Sequence, residues 1–103
     1  MVKYDKLIRD EIPEIIKANG QKYRTHIAGD HEYSDKLREK LAEEVHEFLE
    51  GPSVEELADV QEVVNALAEF EFGGTDELEK TRREKAEKRG GFEKKLILDE
   101  VLD

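Results

Sequence analysis

The sequence predicts a mainly α-helical single domain over residues 1–103, built round a central αα-hairpin and carrying one short two-stranded β-sheet. Three observations predict it. Apolar residues recur at helical spacing through two long segments in the middle of the chain. The pairs Asn19-Gly20, Gly51-Pro52, Gly73-Gly74 and Gly90-Gly91 interrupt that pattern where helices should end. Two short stretches, residues 21–28 and 92–99, depart from it toward strand character.

The first helix is expected over residues 10–18. Asp10 suits its N-cap, Pro13 falls in the first turn where a missing N–H costs least, and Asn19-Gly20 stops it. Ile12, Ile15 and Ile16 give it one apolar face. Tyr23, Thr25 and Ile27 then alternate, which reads as a strand, and residues 29–33 read as a polar loop. The second helix starts near Ser34, carries Leu37, Leu41, Val45, Phe48 and Leu49, and ends at Gly51-Pro52. The third starts at Ser53, carries Val54, Leu57, Val60, Val63, Val64, Leu67 and Phe70, and stops at Gly73-Gly74. The tight turn between them makes the hairpin. A fourth helix over residues 75–89 is polar nearly all round, with Leu78 its one large apolar residue, so charge pairs and docking must stabilise it. Leu96-Ile97-Leu98 form the second strand, whose natural partner is the first, because an isolated strand cannot stand alone.

Composition narrows the function classes. Lys plus Arg is 17 against Asp plus Glu 27, a formal net charge of -10. That balance argues against binding bare nucleic acid or an anionic membrane surface. Cysteine is absent, which excludes disulfides and thiolate metal sites. No stretch approaches the apolar length that spans a bilayer, and Lys3, Asp5 and Lys6 interrupt any secretory apolar region, so a soluble, cytoplasmic protein is expected. Hydrophobic residues make up 37% and charged residues 43%, enough for a modest core only. Small domains of this kind commonly complete their core by oligomerisation.

The charges are segregated. Between Leu41 and Glu79 stand 13 acidic residues and no Lys or Arg, whereas residues 80–95 hold 8 basic residues against 3 acidic ones. Either two surfaces attract each other, or a metal-binding wall faces a phosphate-binding arm.

At about 100° per residue, Glu44 falls at the edge of the apolar stripe of the second helix and Glu47 about 60° further round, one turn away. On the third helix Glu56 lies between Val60 and Val63 in angle and Asp59 about 60° away, near Phe70. Each helix of the hairpin therefore carries an acidic i, i+3 pair on the side that faces its partners, and four carboxylates converge on one groove. Two like charges about 5 Å apart repel by roughly 3 kcal/mol at an effective dielectric near 20, so several such pairs rival the stability of a small domain. Protonation, pairing with Lys or Arg, or a divalent cation must relieve them. Lys40, one turn before Glu44, is the only nearby base on these helices. All-oxygen carboxylate ligands suit Mg²⁺, with Mn²⁺ as the other hard candidate.

Plainer roles compete. Ser53-x-x-Glu56 fits a capping box, so Glu56 is either a ligand or a helix cap. Glu50, and on the wheel alone Glu43, are simplest as solvated acids. Pairing from residues 80–89 across the fold would make a salt-bridge network instead of a metal site. Glu43-x-x-His46 matches one half of a di-iron motif, but that site needs the motif twice, and His46 points away from the apolar stripe. His26 and His31 have no partners at ligand spacing.

Glu43-Glu44-Val45-His46-Glu47 followed by Glu56-Leu57-Ala58-Asp59 resembles the E-E-x-x-E … E-x-x-D signature of the MazG-like all-α nucleoside triphosphate pyrophosphohydrolases. The stretches Lys6-Leu7-Ile8-Arg9-Asp10-Glu11-Ile12-Pro13 and Lys88-Arg89-Gly90-Gly91-Phe92 resemble a small house-cleaning subgroup of that superfamily. The resemblance implies a helical bundle assembled as a homodimer or higher homo-oligomer. It implies that Glu44, Glu47, Glu56 and Asp59 coordinate Mg²⁺, with Glu43 orienting water, and that a nucleoside triphosphate is hydrolysed between its α and β phosphates to the monophosphate and pyrophosphate.

Metal-ion catalysis of that kind needs a carboxylate to take the proton of the attacking water, for which Glu43 and Glu47 are placed. An acidic groove also needs cations to receive a triphosphate. Lys6 and Arg9 precede the first helix, and Lys85, Lys88 and Arg89 lead into a glycine pair that lets backbone approach phosphate, although each is also a candidate for a surface ion pair. Tyr33, Phe70, Phe72 and Phe92 either stack on a base or belong to the core. The alternative to an enzyme is a non-catalytic acidic helical module that binds a basic partner or a divalent metal; it has no need of the Lys85–Arg89 arm.

Overall fold

Gly51, Pro52 and Ser53 break one long run of helical apolar spacing into two helices that fold back on each other. The computed structural model describes residues 2–103 and contains four helices, α1 (Ile12–Ala18), α2 (Asp30–Glu50), α3 (Val54–Phe72) and α4 (Thr75–Arg89). The α2–α3 hairpin is antiparallel. Tyr33 near the start of α2 meets Phe70 near the end of α3 edge to face, with ring centroids 4.9 Å apart. Arg38 Nη2 donates to Glu71 Oε1 at 2.6 Å across the same end.

The helix ends follow local chemistry. Ser53 Oγ accepts from the Glu56 N–H at 3.1 Å and caps α3. Gly73 ends α3 in the left-handed region (φ 78), a conformation that the missing Cβ makes inexpensive, and the Gly74 N–H then reaches the Ala68 carbonyl at 3.1 Å. Helix α4 docks on α3 and carries no buried residue of its own. Asp76 and Glu77 open it and Lys88 and Arg89 close it, both signs matching the helix dipole.

Three expectations change. Residues 21–28 and 92–99 do not pair, and no strand forms among the described residues. The alternation is present, but Ile27, Phe92 and Leu96 to Leu98 all stand exposed, so nothing among the described residues covers the faces that a sheet would bury. The expected loop at 29–33 is the first turn of α2, because Gly29 takes an extended N-cap conformation and Asp30 and Glu32 favour the positive end of the dipole. Helix α1 starts at Ile12 after Glu11, and Asp10 supplies no cap.

Buried residues are few: Leu37, Val63, Ala68 and the carboxylate residue Glu44. The chain is also long for its size. Its radius of gyration is 18.3 Å and its extents 63 × 31 × 24 Å, whereas a compact domain of this length has a radius of roughly 13 Å. It exposes 9527 Å², against roughly 6,000 Å² for a folded monomer of this mass. Among the described residues no helix is long and apolar enough to cross a membrane.

Candidate metal centre

The acidic cluster sits where the hairpin helices face each other and the N-terminal arm crosses them. One carboxylate oxygen each from Glu44 on α2 and from Glu56 and Asp59 on α3 lie within 4.8 Å of one another. The i, i+3 spacing of Glu56 and Asp59 puts both on one side of α3, while Glu44 reaches them from the border of the α2 apolar stripe. Glu44 is 7% exposed, the most buried ionisable residue of the described chain. Its Oε1 lies 3.3 Å from Lys40 Nζ, but its Oε2 is buried without a hydrogen-bond partner, and so is Glu56 Oε2.

Glu56 does not cap α3 with its side chain. Its backbone N–H is bound by the Ser53 side chain, whereas its carboxylate turns into the cluster. The reciprocal half of the capping box, a bond from Glu56 to the Ser53 N–H, is not made.

Glu47 lies on the exposed flank of the cluster. The negative charge of Glu44 is the main cause that raises its pKa above the ordinary 4.5, followed by partial desolvation, a hydrogen bond with Glu44, and the charges of Glu56 and Glu43.

The arm supplies the other positive charge. Arg9 Nη2 donates to Asp59 Oδ1 at 2.7 Å, and Lys6 Nζ donates to Glu43 Oε1 at 3.3 Å. Glu43 Oε1 is also 3.6 Å from Lys40 Nζ, so Glu43 is a half-buried bridge between two ammoniums and not a solvated acid. Asp5 takes a positive φ (46), which a short polar side chain tolerates, and its carbonyl accepts from Lys36 Nζ at 2.6 Å. The sequence marked Lys6 and Arg9 but gave no sign of Lys36, whose place shows only in the row Lys36, Lys40 and Glu44 at i, i+4 intervals.

The structure thus brings Glu44, Glu56 and Asp59 together, sets Glu47 and Glu43 at their edge, and lays Lys6 and Arg9 against them. Lys85, Lys88 and Arg89 are exposed on α4 and make no ion pair among the described residues. Residues 80–89 do not pair with the hairpin acids among the described residues; Arg82 instead binds Glu79 on its own helix, Nη2 to Oε1 at 2.7 Å. His46 and Glu50 are both largely exposed, 3.8 Å apart. His26 Nε2 is 2.9 Å from Glu32 Oε1, and His31 Nε2 is 3.5 Å from Asp35 Oδ2, neither near the cluster acids. Of the aromatic candidates, Tyr33 and Phe70 pack on each other, while Phe72 and Phe92 are exposed.

A hard divalent cation fits these residues. Two buried carboxylate oxygens beside Asp59 have no hydrogen-bond partner among the described residues, and oxygen donors alone suit Mg²⁺ or Mn²⁺. Comparison with protein-family models, with curated proteins and with solved structures finds no match for this chain.

Proposed function

We propose that the chain is a MazG-like nucleoside triphosphate pyrophosphohydrolase that hydrolyses its substrate to the monophosphate and pyrophosphate with Mg²⁺. The observation that carries this reading is the pair of buried, unpartnered oxygens, Glu44 Oε2 and Glu56 Oε2, beside Asp59. Burying acceptors without donors costs a few kcal/mol in ordinary folding, about 1–3 for each, and a bound cation removes that cost. The signature residues named above coincide with this cluster, and the excess of acids leaves a triphosphate no approach without a metal.

Glu44, Glu56 and Asp59 would hold the ion, with Glu47 completing the set from its exposed side. A divalent cation there supplies charge neutralisation for phosphate and a lowered pKa for coordinated water. Glu47 is the better placed proton acceptor. It stands on the exposed side of the cluster, open to water, whereas Glu43 is tied between Lys6 and Lys40 and serves to position them. Lys6 and Arg9 border the groove and exchange their carboxylate partners for phosphate oxygens.

The protein works as a homodimer or higher homo-oligomer in this proposal. The small core, the elongated form and the exposed Leu49, Val54 and Leu57 beside the hairpin turn support it. Lys85, Lys88 and Arg89 contribute to phosphate binding only through such an assembly. Their isolation within one chain is the observation that favours the second reading, an acidic helical module that binds a basic partner or a divalent ion.

A panel of ordinary and modified nucleoside triphosphates with Mg²⁺ or Mn²⁺, read out as pyrophosphate, decides between the two. The enzyme releases pyrophosphate from at least one of them, and Glu44→Gln and Asp59→Asn each abolish release while keeping the helical content. Metal binding without turnover across the panel establishes the module instead.

A further inference from the structure

Beside the acidic cluster lies a separate pocket of about 270 Å³, between the N-terminal arm and α2, lined by Tyr4, Lys6, Lys36, Glu39, Lys40 and Glu43 among others. Three ammoniums line it together with three acids, Asp5, Glu39 and Glu43, so its formal charge is balanced on a chain whose net charge is -10. Lys40 and Lys36 are well covered, their side chains 16% and 26% exposed, and Lys6 lies 5.8 Å from the centre of the Tyr4 ring. Each ammonium is held by a group of this chain: Lys36 by the Asp5 carbonyl and Glu39, Lys40 by Glu43 and Glu44, Lys6 by Glu43.

We infer that this pocket is a subsite for a pyrophosphoryl group, the β,γ end of the substrate and then the leaving pyrophosphate. The inference rests on the proposed metal-dependent reading and deepens it. The row Lys36, Lys40 and Glu44 runs along one side of α2 from the pocket into the cluster, so an anion in the pocket sits one helical turn from the metal ligands. Lys40 links the two sites. While Glu44 and Glu43 are free carboxylates, Lys40 neutralises them; once Glu44 is engaged by a cation, the Lys40 ammonium has lost its best acceptor and a phosphate oxygen takes that place. Lys6 exchanges Glu43 for the anion without the cation's help, because Glu43 is not among the ligands and keeps Lys40 beside it. Lys36 needs no such exchange, because its Asp5 carbonyl and Glu39 partners leave an ammonium proton for the pocket. Anion binding in the pocket therefore depends on the metal through Lys40, and the chain's own acceptors hold the ammoniums without it.

Isothermal titration with inorganic pyrophosphate at saturating Mg²⁺, with Mg²⁺ alone and with a nucleoside monophosphate tests this. Lys36→Gln and Lys6→Gln each weaken pyrophosphate binding by about tenfold, the loss of one charge-assisted hydrogen bond, and Lys36→Arg retains it. The same Lys36→Gln protein binds Mg²⁺ alone and the monophosphate as the wild type does, and circular dichroism shows its helices intact. Lys6, outside every helix, keeps the test available if Lys36→Gln fails to fold. Unchanged pyrophosphate affinity in the variants, with Mg²⁺ still bound by the wild type and lost in Glu44→Gln, overturns the subsite and leaves the metal centre standing. Equal weakening of pyrophosphate and monophosphate also overturns it. Failure of the wild type to bind Mg²⁺ overturns both.

Discussion

Arg9 Nη2 stands 2.7 Å from Asp59 Oδ1, a contact between residues 50 positions apart that ties the N-terminal arm to the acidic face of α3. Both side chains are substantially exposed, 56% and 38%, so the pair contributes at most about 1 kcal/mol to stability. Its importance is competitive, because the guanidinium occupies an oxygen that a cation would use. Arg9→Gln is expected to leave the thermal midpoint nearly unchanged and to raise Mg²⁺ affinity in the nucleotide-free protein by up to about fivefold. In steady-state assays the same variant raises KM for the triphosphate. Calorimetry and kinetics on one preparation read both effects, and a fall in Mg²⁺ affinity would contradict the competition.

Glu47 contributes a pH dependence to the stability of the metal-free protein. It faces Glu43 and Glu44 on its own helix and Glu56 across the hairpin; Lys6 and Lys40 pair with Glu43, Lys40 also with Glu44, and Arg9 with Asp59. Its pKa is higher folded than unfolded, so the folded chain binds this proton more tightly. The resulting stability is fully present below the ordinary value of 4.5 and is lost as pH rises through the elevated one. Glu47→Gln should therefore flatten this part of the stability profile and raise the melting temperature at pH 7 in the presence of a chelator. A variant that melts below wild type at pH 7 would show that Glu47 is not repelled by its neighbours.

Ser53 connects helix capping to ligand placement. Ser53→Ala removes the acceptor for the Glu56 N–H and costs about 1 kcal/mol in urea unfolding. Because the lost bond holds the backbone of a cluster residue, Mg²⁺ affinity should fall with it. Ser53→Asp, which restores an N-cap acceptor, should recover stability and affinity together.

Leu49, Val54 and Leu57 surround the hairpin turn and are 69%, 77% and 53% exposed. If a second copy covers them, sedimentation gives at least twice the 11.9 kDa chain mass, and Leu57→Asp returns the protein to a monomer with a lower melting temperature. A wild-type protein sedimenting as a monomer at high concentration removes oligomerisation from the proposal.

Much of the hairpin was legible because its signals are local. Ser53, Gly51-Pro52 and Gly73-Gly74 place helix ends by capping and backbone freedom, and the 3.6-residue period alone turns Glu44, Glu56 and Asp59 toward one groove. What failed was non-local. Tyr23, Thr25 and Ile27 alternate as a strand does, yet a strand exists only when another pairs with it, and sequence spacing does not report whether residues 92–99 reach it. Residues 29–33 were misread because polar composition resembles a loop, while Asp30 and Glu32 in a first turn after Gly29 stabilise a helix. Lys6 and Arg9 were recognisable as cations, but their partners Glu43 and Asp59 emerged only when the arm was folded across α2 and α3.

Helix α4 rests on α3 alone and follows two glycines with positive φ, with no buried side chain to anchor it. Its backbone amides should therefore exchange with deuterated solvent well before those of Val63 to Ala68, by local opening that leaves the hairpin folded. Trypsin meets the same weak point at Arg82, Arg83, Lys85, Lys88 and Arg89, so limited digestion should trim the chain from its C-terminal quarter inward and spare the paired helices.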